Sequence, residues 1–179
     1  MKLILILILF SFFLTNNLFS QEIRTIDLIK IININKQYNE FLNLLDVKKK
    51  QIEMNISNKE NNIRSAESYI EKNKLIINQD DLNIKIESIN NNYNELENYI
   101  NKYNYYIDQN ININKKILLN VIAEVCKNIS IEKNFDIILD KNDYFISSKD
   151  IDITQLVLEK IKNEKFNFSI IKEDEIFEN

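Results

Sequence analysis

Two long stretches of apolar residues recur at coiled-coil spacing and run back to back along this chain. The outbound stretch carries Leu42, Leu45, Ile52, Ile56, Ile63, Ala66, Ile70 and Ile77. The return stretch carries Leu82, Ile86, Ile89, Tyr93, Leu96, Ile100, Tyr103, Ile107, Ile117 and Val121. Steps of three and four keep each set on one narrow seam of a helix. Between them Asn78, Gln79, Asp80 and Asp81 make a polar break. The pattern predicts an antiparallel helical hairpin over residues 42–121 with its tip near 78–81. At a rise of about 1.5 Å per residue the arm would be about 54 Å long. So long an arm has few lateral neighbours to bury it, which suits reaching around a partner.

The flanks carry different signals. Ile23 to Ile26 is a short β-prone run, and Leu28 to Phe41 reads as helix entering the arm without a proline or glycine to stop it. The return helix is expected to end near Asn128. Phe135 to Asp140 reads as a strand, Lys141-Asn142-Asp143 as a turn and Tyr144 to Ile146 as a second strand. Asp152 precedes a helix from Ile153 to about Lys162, with Gln155 placed for a capping box and Leu156, Val157, Leu158 and Ile161 as its buried face. The fold class is therefore α+β: a helical-hairpin arm inserted in a small strand-and-helix association body, residues 21–41 and 122–164. An acidic tail, residues 165–179, follows and is expected to be solvated, the alternative being a strand added to the body through Phe166 to Ile171. Three short strands make a poor independent sheet with edges open to pairing, so an oligomer is expected.

The N-terminus reads as a leader. Lys2 is followed by apolar Leu3 to Phe10, a second run Phe12 to Leu14, polar Thr15-Asn16-Asn17 and small Ser20. This matches a secretory signal peptide over residues 1–20, cleaved before Gln21. Composition narrows the chemistry further. With Gly 0 there is no phosphate-cradling loop, and with His 0 no Ser-His triad or imidazole metal site. With Cys 1 there is no disulfide framework or cysteine zinc site within one chain, and Cys126 reads as a buried thiol. No catalytic residues, metal or cofactor are assigned. Asp136, Asp140, Asn142 and Asp143 lack the glycine turn and terminal Glu of a calcium loop and read as strand-edge and turn chemistry. A net charge of −4 argues against nucleic acid as a partner.

The C-terminal stretch Phe135-Asp136-Ile137-Ile138-Leu139-Asp140, Tyr144 to Ser148, Asp152-Ile153-Thr154 and Val157-Leu158 resembles the Skp/OmpH family of bacterial periplasmic chaperones. Ile23-Arg24-Thr25-Ile26-Asp27 is similar to that family's first strand. The resemblance covers about residues 22 to 164; through the arm it rests on length and heptad pattern. It implies a homotrimer with a central β-barrel, and three arms holding unfolded outer-membrane β-barrel proteins in a cavity, without ATP, in the periplasm. Two features depart from the family. Its arms are often strongly basic, whereas Lys48-Lys49-Lys50 is balanced here by nearby acids, which gives no support to lipopolysaccharide or anionic lipid as a partner. The tail also extends past the family core. Tyr99, Tyr105 and Tyr106 fall outside the seam and are the candidate client-binding residues, the alternative being that they cover its flank. A rival to the chaperone reading is a membrane-anchored coiled-coil tether or envelope assembly stalk that retains Leu3 to Phe19 as its anchor.

Overall fold

The computed structural model describes residues 21–177, so the leader expected at 1–20 lies outside the described residues. In chain order the elements are β1 (Ile23–Ile26), α1 (Leu28–Ile34), α2 (Lys36–Asn73), α3 (Gln79–Lys133), β2 (Ile137–Asp140), α4 (Thr154–Ile161) and α5 (Asp174–Phe177). Short 3-10 turns occupy Lys141–Asp143 and Lys149–Ile151. Two compact units result: residues 21–31 with 122–163, and residues 32–121 with the tail from 164. No helix among the described residues is long and apolar enough to cross a membrane.

In the first unit β1 and β2 pair in parallel, Ile23 opposite Ile137 through Ile26 opposite Asp140. The other edge of β1 makes a single bridge, Thr25 to Asp152, with the Ile153 amide donating to the Thr25 carbonyl at 2.9 Å. Ile26, Ile31, Val125, Ile129, Ile153, Val157, Leu158 and Ile161 are buried. Cys126 is buried with them, and desolvation pushes its thiol up to about 11. Asp136 and Asp140, at either end of the β2 stretch, accept backbone amides. Asp136 takes Glu22 N–H at 2.8 Å, and Asp140 takes Leu28 and Asn142 N–H, each at 3.4 Å.

Three local expectations change in this unit. Tyr144 to Ile146 forms no strand: Tyr144 is extended, but Phe145 and Ile146 are 99% and 81% exposed. The 3-10 turn capped by Asp140 carries the chain away from β2, and a strand without a neighbour to bond is not a strand. The helix after Asp152 lacks the expected capping box. The Asp152 carboxylate instead accepts the Thr154 amide at 2.8 Å and the Thr154 hydroxyl, whose oxygen accepts Asp27 N–H at 2.8 Å. Burial pushes the Asp152 carboxyl upward, but the Thr154 hydrogen bonds and the nearby Lys141 and Lys30 charges outweigh it and leave it below its ordinary value. Finally, α3 runs past Asn128 to Lys133. It stops at Asn134, which takes φ 56°, while Phe135 N–H returns to the Ser130 carbonyl at 3.0 Å. That is a left-handed helix stop, with asparagine in the place glycine usually takes.

The second unit holds the hairpin. Its helices do not begin where an uninterrupted heptad would put them. Asn35 breaks the helix expected over 28–41: its side chain accepts Tyr38 N–H at 2.8 Å and its backbone is extended, so α2 starts afresh. The tip is residues 74–78 rather than 78–81. Asn78 caps α3 by accepting Asp81 N–H at 2.8 Å and donating to the Asp81 carboxylate at 2.6 Å. Asp80 and Asp81 lie in the first turn of α3, where the helix dipole favours negative charge.

Candidate functional site

Two long helices stay together only if their seams match. Ile63 of α2 and Ile89 and Leu96 of α3 form a buried cluster, with Ile56, Ala66, Ile70 and Ile100 packed against it. Polar pairs on the flanks fix the register. Tyr103 donates to Glu53 and Tyr93 to Glu67, both at 2.8 Å, while Lys59 sits over the Tyr99 ring and Lys85 over the Tyr69 ring. Each pair straddles the tip at nearly equal distance, as an antiparallel fold-back requires. Tyr93 is correspondingly not a core residue: it is 45% exposed, with its ring at the flank and its hydroxyl on Glu67.

The basic triplet on α2 is neutralised in place. Lys48 pairs with Glu173 at 2.8 Å, Lys49 with Glu53 at 3.9 Å and Lys50 with Asp46 at 2.6 Å. What the hairpin offers a partner is apolar instead. Leu44, Val47 and Met54 are exposed. At about 100° per residue they fall within about 80° of one another, on a stripe away from the seam. Leu75 and Ile76 are exposed at the tip. Sequence reasoning passed over all five because they stand outside the heptad, although the three- and seven-residue steps of the α2 stripe are visible in the sequence.

The three candidate tyrosines have three different fates. Tyr105 faces solvent. Tyr99 is half-covered, with the Phe177 ring 4.9 Å from its own. Tyr106 is fully buried, its ring 5.9 Å from Phe177 and its hydroxyl without a hydrogen-bond partner. Tyr106 therefore presents no outer surface while the tail is seated.

The tail is not solvated. It packs on the hairpin helices from residue 164 to residue 177. Gln37 donates to the Glu164 carbonyl at 2.9 Å and accepts Phe166 N–H at 3.3 Å. Phe168 packs against Phe166, Tyr38 and Phe41, with ring centroids 5.1, 5.5 and 5.9 Å apart. Asn114 accepts Ser169 N–H at 3.0 Å and donates to the Ser169 carbonyl at 2.8 Å; Asn110 accepts Ile171 N–H at 2.9 Å. A cleft of about 460 Å³ lies among Lys48, Tyr106 and residues 170–174. The tail's alternation of apolar Phe166, Phe168 and Ile170 with polar residues suits an extended segment lying on an apolar face. The chain's acidic composition hides that pattern.

With this geometry the chain can be set beside known structures. It is similar to the crystal structure of a candidate outer membrane chaperone, OmpH-like, from Caulobacter crescentus. The TM-score is 0.73, over 90% of this chain and 96% of that one. The chain has the OmpH-like fold. Sequence identity is only 10%, so the likeness lies in the backbone path. A heptad hairpin and two four-residue strands tolerate wide substitution when the apolar positions are kept. No protein-family model and no curated protein matches the sequence.

Proposed function

We propose that this protein is a periplasmic holdase chaperone, exported by its leader and working without ATP, that keeps unfolded outer-membrane β-barrel proteins from aggregating. It is a client-binding protein and not an enzyme. The observation that carries this reading is the OmpH-like fold over nine-tenths of the chain, joined to a hairpin that exposes Leu44, Val47 and Met54 on a stripe apart from its packed seam. Holding an unfolded chain calls for many weak contacts, since one deep pocket would select one sequence. Leu44, Val47, Met54, Leu75, Ile76 and Tyr105 supply such contacts, each weak alone and strong by multivalency. Tyr99 joins them through its uncovered edge.

The functional form is a trimer whose copies pool their strands in a central barrel and enclose the client between their hairpins. Support comes from the first unit. A lone two-stranded sheet is marginal in water, and Ile23, Ile137 and Leu139 are each more than a third exposed on one of its faces. Phe145 and Ile146, almost fully exposed, are further apolar surface for a neighbouring copy to cover.

The mature chain from Gln21 tests this directly. An outer-membrane β-barrel protein diluted from urea should stay soluble when the chain is present without nucleotide. Prompt aggregation at every molar ratio would refute the holdase.

A further inference from the structure

The tail and the helix face beneath it make an unusual pair. Asn110 and Asn114 are both 0% exposed, one helical turn apart, and bond the main chain of alternate tail residues. Four residues of helix rise about 6 Å, and two residues of extended chain span about 6.6 Å, so one period matches the other. Asn114 engages both the N–H and the carbonyl of Ser169, as a neighbouring strand would. None of these three bonds reads a side chain of the tail.

We propose that the face formed by Tyr106, Asn110 and Asn114, with Tyr38 and Phe41 beside it, is a backbone-reading groove. Its ligand is an extended polypeptide segment with apolar residues at alternate positions, and the chain's own tail occupies it until such a segment displaces it. The inference deepens the holdase reading and rests on it for the natural ligand: a transmembrane β-strand before insertion has this alternation. Three further observations support it.

Apolar and polar residues alternate in the tail as such a ligand requires. Phe166 is buried and Phe168 and Ile170 are half-buried, while Asn167 and Ser169 are exposed. The tail also fits incompletely. It leaves the cleft of about 460 Å³ and the buried Tyr106 hydroxyl without a partner, and a polar group in that position gains from a ligand that can bond it. Its charged fastening is weak as well, because the Lys48–Glu173 pair is close to two-fifths exposed on each side and such pairs contribute little. A tethered tail nevertheless acts at high effective concentration, so only segments that make more contacts than it does gain entry.

Hydrogen exchange on the mature chain tests the groove. The probe is a synthetic peptide of about fifteen residues alternating leucine and threonine, long enough as a strand to cover the tail's track. At saturation it should lower protection at the Ser169 and Ile171 amides by about tenfold or more, as expected when a competitor takes over the occupied state. Amides around Ile63 in the hairpin core should not change. The same peptide with proline in place of threonine lacks the N–H groups the asparagines read and should leave the tail protected. The groove is overturned if the alternating peptide leaves Ser169 and Ile171 unchanged, if the proline peptide acts equally, or if the whole hairpin loses protection. The two readings fail separately. Aggregation suppression with an undisturbed tail would sink the groove and keep the holdase; tail displacement by the peptide without aggregation suppression would do the reverse.

Discussion

In a chain without glycine, the left-handed stop after α3 falls to Asn134, and other asparagines cap α2 and α3 and hold the tail. An asparagine surplus in the composition carries no such information; only their bonds show that Asn35 and Asn78 cap helices and that Asn110 and Asn114 hold the tail. Tyrosine shows the same dependence on place. Burial and the hydrogen bond and charge of Glu53 push the Tyr103 hydroxyl up to about 12. The folded hairpin therefore favours the protonated phenol more than the unfolded chain does. The stabilisation is fully present below the ordinary tyrosine value of 10.0 and is lost as pH rises toward about 12. Thermal melting should show the hairpin weakening across that window, and Tyr103→Phe should flatten the pH dependence there. An unchanged slope in the variant would show that the Tyr103 bond contributes nothing.

At the scale of elements, the hairpin rests on a seam whose outbound half follows the sequence closely. Leu45, Ile52 and Ile63 are buried, and Ile56, Ala66 and Ile70 are half-buried, as the heptad requires. The return half departs from it. Between Leu96 and Val121 the fully buried positions are Tyr106, Asn110, Asn114 and Leu118, in steps of four, while Tyr103 and Ile107 are only half-buried. Steps of four drift around an α-helix by about 40° each. The drift brings α3's buried face round to the tail, a neighbour that a two-helix heptad does not include. Spin labels at Ser57 and Lys102 should lie within about 20 Å across the fold-back. One continuous rod of the 45 intervening steps would separate them by roughly 68 Å, at about 1.5 Å per residue.

For the whole molecule, the first unit has more apolar surface than its four-residue strands can cover. Replacing both Phe145 and Ile146 with serine should leave helix content unchanged by circular dichroism, because neither residue is packed. It should shift the proposed trimer toward monomer by light scattering. A mature wild-type chain already monomeric at micromolar concentration would remove the trimer and with it the enclosed cavity. Aggregation suppression should fall with the assembly, since a single hairpin loses the multivalency on which weak contacts depend.

The sequence by itself determined what periodicity and local chemistry can determine: a fold-back of two long helices, a β-prone run at each end of the hairpin, and a chemistry without imidazole or glycine loops. These rest on neighbours a few residues apart, so they can be read in one dimension. Tertiary structure alone decided which face of α3 is buried below Leu96, that Tyr106 lies inside, that Tyr144 to Ile146 finds no strand to pair with among the described residues, and that the acidic tail docks. Each turns on groups far apart along the chain, such as Asn114 with Ser169 and Gln37 with Phe166. Whether such groups meet depends on the free energy of the whole packed arrangement, for which a local pattern carries no signal.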